Sequence, residues 1–330
     1  MSRHVTKRPL ALVGALSLAV GGLAQCRAVG QEPPEPSPLP GTRLSVDELK
    51  AQFTRVSAGR RLKPESWPDG GRVAVALSFD IDNAAGNLAR GDLRPEALSR
   101  GEYGAMDGLP RVLRVLDKHT VPATFFIPAV SAILHPQMIP DILAKERHEI
   151  GAHGWIHENL AQMESEAEEK RLLDRSVDYL TEATGRRPVG FRSPGANYSP
   201  WTFTLLKEAG FLYESTLMAS DDAYELLLDG EPSGMVELPI EWLLDDFPYF
   251  QNTLNGSLPD PEQVFRVYRS EFDVAYEEGG LYVLTMHPHV IGHRSRAAEL
   301  DKLIAYMKSK DGVWFATHEQ VARYVWERAG

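Results

Sequence analysis

Residues 73–79 form an almost wholly apolar run, rich in β-branched side chains, that stops at Asp80-Ile81-Asp82. A strand without a polar face must be covered on both sides, which calls for helices packed on a parallel sheet or around a barrel. The rest of the chain offers those helices. Leu109, Val112, Leu113 and Leu116 recur at helical spacing, and residues 123–127 read as the next strand. Residues 166–183 are expected to be helical, with Leu172, Leu173, Val177 and Leu180 on one stripe and Gly185 as the stop. Residues 200–209 read as a helix ending at Gly210, and residues 236–240 and 281–286 as strands. Val264, Phe265, Tyr268, Phe272 and Tyr276 line a helix between those strands, closed by Gly279-Gly280, and a strand at 313–316 precedes a C-terminal helix. Strand and helix alternate without any internal repeat, which places the chain in the α/β class.

The polar residues that follow these strands narrow the chemistry. Asp80 and Asp82 come straight after one buried strand and His287 straight after another, where catalytic groups converge in barrel enzymes. Two residues apart on extended backbone, the aspartates point to the same face. His153 and His157 are four apart and would share a face on one helical turn. Asp82, His153 and His157 together offer one oxygen and two imidazole ligands, a set suited to Zn²⁺ or a similar divalent ion with a position left open for water. Asp80 and His287 remain as candidate base and acid. No Gly-x-Ser-x-Gly elbow occurs, and the single cysteine, Cys26, excludes both an intrachain disulfide and a thiolate metal site. These residues read as a metal-dependent hydrolase.

Net charge is −11, and the four cations of residues 1–30 (Arg3, Lys7, Arg8 and Arg27) face no acid, so residues 31–330 carry −15. Such a chain is a poor partner for nucleic acid and has no reason to bind anionic membranes. Arg3, Lys7 and Arg8 followed by the apolar residues 10–24 read as a signal segment, too short to span a bilayer comfortably. Leu23-Ala24-Gln25-Cys26 resembles a bacterial lipobox, though Gln25 stands where a small residue is usual; a lipid anchor on Cys26 and simple cleavage nearby both stay open. Pro33, Pro34, Pro36, Pro38 and Pro40 form a stiff spacer. The expected organisation is a signal at residues 1–30, a Pro-rich linker and extension at 31–64 and a catalytic domain at 65–330, exported to the periplasm or cell envelope.

Taken together, Ser78-Phe79-Asp80-Ile81-Asp82, His153-Gly-Trp-Ile-His157, Phe191-Arg192-Ser193-Pro194-Gly195 and Met286-His287-Pro288 resemble the polysaccharide deacetylase family, carbohydrate esterase family 4, with its NodB-homology domain. The resemblance covers residues 65–325. It implies a single-domain distorted (β/α) barrel that hydrolyses acetamide groups of N-acetylglucosamine polymers with a bound divalent metal. The family's first motif is commonly Thr-Phe-Asp-Asp; the residue inserted here between the acids is similar to a branch of peptidoglycan-deacetylase-like proteins, close to allantoinase-like and cyclic-imide hydrolases. By this resemblance Asp80 is the general base, Asp82, His153 and His157 are the ligands, and Arg192 pairs with the base. His287 protonates the leaving amine, while His289 is expected beyond direct reach of the reacting atoms. Glu237-Leu-Pro-Ile-Glu241-Trp242 and Asp245-Asp246 replace an Asp-Trp motif, and either Asp245 or Asp246 is a candidate to orient the acid.

The substrate follows less directly. An N-acetylated glycan of the peptidoglycan or poly-N-acetylglucosamine type suits an exported enzyme, and the aspartate spacing suits a small linear or cyclic amide. A carbohydrate-binding protein without activity is a third reading, against which the retained Asp80 and His287 argue. Zn²⁺ is the expected metal, with Co²⁺, Ni²⁺ or Mn²⁺ as alternatives, and a homo-oligomer is compatible with the sequence. Insertions at 83–103 and 221–234 are expected to cover the site, and Trp155, Trp242, Tyr249 and Phe250 are candidate platforms for sugar rings.

Overall fold

Among the described residues, ten strands build one curled sheet: β1 (Val56–Arg61), β2 (Val73–Asp80), β3 (Thr124–Ile127), β4 (Glu149–Ala152), β5 (Gly190–Phe191), β6 (Tyr213–Glu214), β7 (Tyr224–Leu228), β8 (Glu231–Glu237), β9 (Leu281–Met286) and β10 (Val313–Ala316). The computed structural model describes residues 40–251 and 259–328. The signal segment, Cys26 and the prolines before Pro40 therefore lie outside the described residues. The chain separates into two compact units, Met1–Ser45 and Val46–Gly330. Of the first, the described part is a short 3₁₀ turn at Pro40–Arg43. The second holds the whole sheet.

The strand order is β1-β7-β8-β6-β5-β4-β3-β2-β10, with β9 on the other edge of β2. β2 can serve three neighbours because two share one edge: β10 lies along Val73–Ala76 and β3 along Ser78–Asp80. Every pair from β10 through β6 to β8 is parallel, as is β2 with β9. This is the single-domain α/β fold of the NodB type, a distorted (β/α) barrel. β2 is buried along all eight residues, which is why its sequence shows no alternation.

The helices obey local rules. Helix Glu166–Thr184 starts at Ser165, whose side chain accepts from Glu168 N–H, carries Glu166, Glu168 and Glu169 in its first turn and ends on Gly185 at φ 71°. Helix Pro261–Glu278 has Asp260 as its cap, proline at its first position and Gly279 at φ 73°, and it buries Val264, Phe265, Tyr268 and Phe272. Among the described residues no helix is long and apolar enough to cross a membrane.

Within the stretch expected as an N-terminal extension, β1 pairs antiparallel with β7 despite its weakly apolar Val-Ser-Ala-Gly-Arg-Arg sequence. Two departures from the sequence reading have physical causes. The strand expected at 236–240 spans Glu231–Glu237 instead. It turns back on β7 through Asp229 (φ 51°) and Gly230 (φ 82°), the two left-handed residues a tight hairpin turn requires. Residues 221–234 therefore make an edge hairpin, and none of them lines the cavity beside the site.

Candidate active site

β2 and β9 are neighbours and β4 lies one strand further on, beyond β3; the carboxyl ends of all three bring polar residues to the same hollow. Asp80 closes β2, with Asp82 two residues on; His153 follows β4 and His287 follows β9. His153 and His157 do not share a helical turn. β4 runs straight into His153, and the chain must double back within four residues, with Gly154 at φ 74° and His157 at φ 61°. Glu158 holds that loop by accepting from Trp155 N–H (2.9 Å) and Ile156 N–H (2.7 Å). A left-handed backbone at a non-glycine residue is costly and collects at functional sites.

The three donors are spaced for a metal. His153 Nε2 stands 3.4 Å from Asp82 Oδ1, and His157 Nε2 stands 3.5 Å from Asp82 Oδ2. Ligands about 2.0–2.2 Å from a tetrahedral ion lie about 3.3–3.6 Å from one another. His153 Nδ1–H donates to the Arg192 carbonyl at 2.7 Å, which fixes the tautomer and turns the Nε2 lone pair inward. Asp82 Oδ1 is buried without a hydrogen-bond partner among the described residues, as expected of an oxygen waiting for a cation. Burial works to raise the Asp82 pKa, but His157, His153 and His287 outweigh it and hold the carboxylate well below its usual range. The residues fit a divalent ion.

Asp80 and His287 flank this trio, each fixed from behind. Arg192, 1% exposed, donates to Asp80 Oδ1 and to Ser78 Oγ, both at 2.8 Å. It is anchored in turn by the Ser215 carbonyl and hydroxyl, each at 2.8 Å, and by the Phe126 ring 4.2 Å away. Asp80 Oδ2 is left facing the site, 3.9 Å from His153 Nε2 and 4.0 Å from His287 Nε2. His287 Nδ1–H donates to Asp246 Oδ1 at 2.7 Å, and its backbone N–H donates to Asp246 Oδ2 at 3.0 Å. Burial opposes charge on this ring, yet Asp246, then Asp245 and Asp82, raise its pKa well above the usual value. Asp246 thus makes the orienting contact. Asp245 lies 3.7 Å from Nδ1 and spends an oxygen capping Phe247 N–H at 2.8 Å. Asp245, Asp246 and His287 also lie close enough to share an ion, but both Asp246 oxygens already accept from His287.

The sequence model of the family described as "Polysaccharide deacetylase" matches residues 99–213. The peptidoglycan deacetylase of Helicobacter pylori is 29% identical over 280 residues, 76% of this chain and 95% of that protein. The crystal structure of a Mycobacterium smegmatis protein assigned as a polysaccharide deacetylase superposes with a TM-score of 0.75 at 38% identity, covering 83% of this chain and 96% of that one. The chain belongs to the polysaccharide deacetylase family. The structure of PuuE allantoinase is also similar, at 26% identity and a TM-score of 0.72, covering 82% of this chain and 94% of that one.

Several residues of this deacetylase-family site escaped the sequence reading. A cavity of about 260 Å³ opens beside Asp82 and His157 and is lined by His289, Phe247 and residues of the 83–103 insertion, including Asn83, Arg90 and Arg100. His289, named in the sequence reading only as lying beyond direct reach of the reacting atoms, lines the wall of this cavity with its ring 5.7 Å from that of His287. Burial pushes its pKa down to about 3, so it is neutral. Phe247, half exposed, packs its ring 5.4 Å from His287. Of the four aromatic candidates, Phe250 is buried in the core and Tyr249 packs on Tyr268. Trp155 lies under Arg175, whose guanidinium is 3.7 Å from the ring, and Trp242 is the most open of the four.

Proposed function

We propose that the protein is a metal-dependent N-deacetylase that removes acetyl groups from amino-sugar residues of a glycan, with Asp82, His153 and His157 holding Zn²⁺ or a similar ion. The observation that carries this reading is the approach of Asp80 Oδ2 and His287 Nε2 to 4.0 Å beside the three donors, each backed by its own support. A bound divalent ion supplies Lewis acidity and acidifies coordinated water. Asp80, with one oxygen held by Arg192, uses the other to take the proton as water attacks the acyl carbon. An amide nitrogen leaves poorly unless protonated, and His287, kept charged by Asp246, delivers that proton from Nε2 as the carbon–nitrogen bond breaks. Acetate and a free amine result. No side chain needs to form a covalent intermediate.

The likeness to PuuE allantoinase supports a second reading, hydrolysis of a small linear or cyclic amide. The test is release of acetate or ammonia from N-acetylated glycans, cyclic imides and ureides, with and without chelator. Chelator-sensitive acetate release from glycans is expected. Turnover confined to the imides or ureides would move the protein to the second reading, and no release from metal-loaded protein would sink both. We further propose that the reaction takes place outside the cytoplasm, on the strength of Arg3, Lys7, Arg8, the apolar residues 10–24 and the proline spacer. Full-length, unprocessed protein in a cytoplasmic fraction would refute this.

A further inference from the structure

We infer that the groove leading away from the metal-side residues is an anion-recognition subsite, and that the substrate carries a carboxylate close to the acetamide that is cleaved. This rests on the deacetylase reading for the reaction, but not for the binding.

The cavity beside Asp82 and His157 is walled on its far side by Arg90, Arg94 and Arg100. It shares Arg100, Glu96, Gln251 and His289 with a second hollow of about 480 Å³, which adds Arg296. Four arginines thus line one continuous path, and beyond Asp82 the lone acid on it is Glu96. In a chain of net charge −11 this is a local reversal of sign, and a cationic cleft focuses field on anions.

Of these four, Arg94 is paired with an acid, bound to both oxygens of Asp92 at 2.8 Å. Among the described residues no carboxylate forms a salt bridge with Arg90, Arg100 or Arg296, though the charge of Asp246 reaches Arg296. Arg100 donates to the neutral side chain of Gln251. Arg296 donates to the Val290 carbonyl at 2.8 Å and covers the Phe250 ring at 4.2 Å. The Arg90 side chain has no hydrogen bond or ion pair among the described residues; only its backbone N–H is engaged, on the Gly86 carbonyl. Its position is also constrained: Arg90 Nη1 and His157 Nδ1 both lie within 3.3 Å of the point where a Cβ on Gly86 would stand. The free guanidinium and the ligand histidine therefore face each other across a glycine, close enough for one sugar residue to reach both.

A guanidinium fork matches a carboxylate in two parallel hydrogen bonds, a match that a neutral hydroxyl cannot reproduce. The substrate class this selects is an N-acetylated amino sugar bearing a carboxylate, or linked to a sugar that bears one. A neutral N-acetylglucosamine polymer offers Arg90 and Arg100 only single hydroxyl and carbonyl acceptors and no anion. Deacetylation also converts a neutral amide into an ammonium group, which these arginines repel, so product leaves and an already deacetylated polymer is disfavoured.

The test uses a matched pair: a peptide-free tetrasaccharide of alternating N-acetylglucosamine and N-acetylmuramic acid, and the same tetrasaccharide with its carboxyls methyl-esterified. Binding to the metal-loaded protein is measured by calorimetry and turnover by acetate release. The acid form should bind about 10-fold or more tighter than the ester. The preference should shrink as salt rises from low to physiological strength and above. Arg90→Met, with Arg100→Met as a second variant, should lose most of the preference for the acid while the ester is affected several-fold less. Equal binding of acid and ester by the native protein, or equal losses on both in the variants, would overturn the subsite. If the acid form binds preferentially but no acetate is released, the subsite stands and the deacetylase reading falls.

Discussion

Asp82 and Glu237 are both buried acids at the carboxyl ends of parallel strands, yet their neighbours make them opposites. Asp82 faces three imidazoles, which overcome its burial and keep it ionised. Glu237 faces another acid. Glu214 is its register partner across β6 and β8, and Tyr224 is its partner across β7, so the three stand in one row on one face of the sheet. Burial, then the charge and hydrogen bond of Glu214, push the Glu237 pKa well above the usual carboxyl value. One oxygen of Glu237 accepts from Thr216 N–H and Leu217 N–H, both at 2.9 Å, and among the described residues no donor reaches its other oxygen or Glu214 Oε2. Two such oxygens in a dry interior are stable only if they share a proton. The same side-chain chemistry is thus an ionised candidate ligand where histidine surrounds it and a proton-sharing clamp where carboxyl meets carboxyl.

The largest effect that would break this contrast is at the metal side. His153→Ala removes one of three donors and is expected to lose bound metal together with at least about 10²-fold of the activity, since even the outer partners of metal ligands are worth about 10–100-fold. Full metal content in the purified variant would remove His153 from the ligand set. His287→Ala should keep its metal. Its rate on an unactivated amide should fall by about 10²–10⁴-fold, and far less on an aryl acetate, whose leaving group needs no proton. Equal losses on both substrates would end the assignment of His287 as the acid.

How much of this was legible in the sequence depends on how each residue reaches the site. β2 and β9 were readable because a strand buried on both faces shows as an apolar run, and β10 because its four residues are all apolar although only Ala316 is fully buried. Asp80, Asp82 and His287 were readable because they lie at or just beyond the ends of apolar strands, and His153 through its four-residue spacing from His157. β5 and β6 are two residues long and leave no pattern. The Asp229-Gly230 turn was a legible hairpin signal that the run of leucines before it obscured. Asp245 and Asp246 could not be told apart because adjacent residues differ only in direction, one capping a helix and the other meeting His287. Arg90, Arg100 and Phe247 come from loops and helix ends, with no periodicity to mark them. The pairing of Glu214 with Glu237 depends on strand register between residues 23 apart in sequence, which no local pattern encodes.

The smallest effect, and the sharpest test of the contrast, is at Glu237 itself. Glu237→Leu leaves two buried N–H groups and Glu214 Oε2 without partners, and should cost about 2–5 kcal/mol in denaturant unfolding. Glu237→Gln should cost less than about 1 kcal/mol, because the amide oxygen still accepts from Thr216 and Leu217 while its N–H takes the place of the shared proton. The two proteins should then diverge with pH. A carboxyl whose native pKa is raised contributes stability that is fully present below its unfolded value, near 4.5, and is lost as pH rises through the native value. Each unit of that elevation is worth about 1.4 kcal/mol. Glutamine does not titrate, and the Glu214 left beside it ionises against an N–H donor, the Thr216 hydroxyl and the nearby Arg192 charge. Urea unfolding at pH 5 and pH 8 should therefore show the native protein losing stability relative to Glu237→Gln as pH rises. Parallel pH profiles would mean that the two carboxyls share no proton, and the distinction from Asp82 would rest on burial alone.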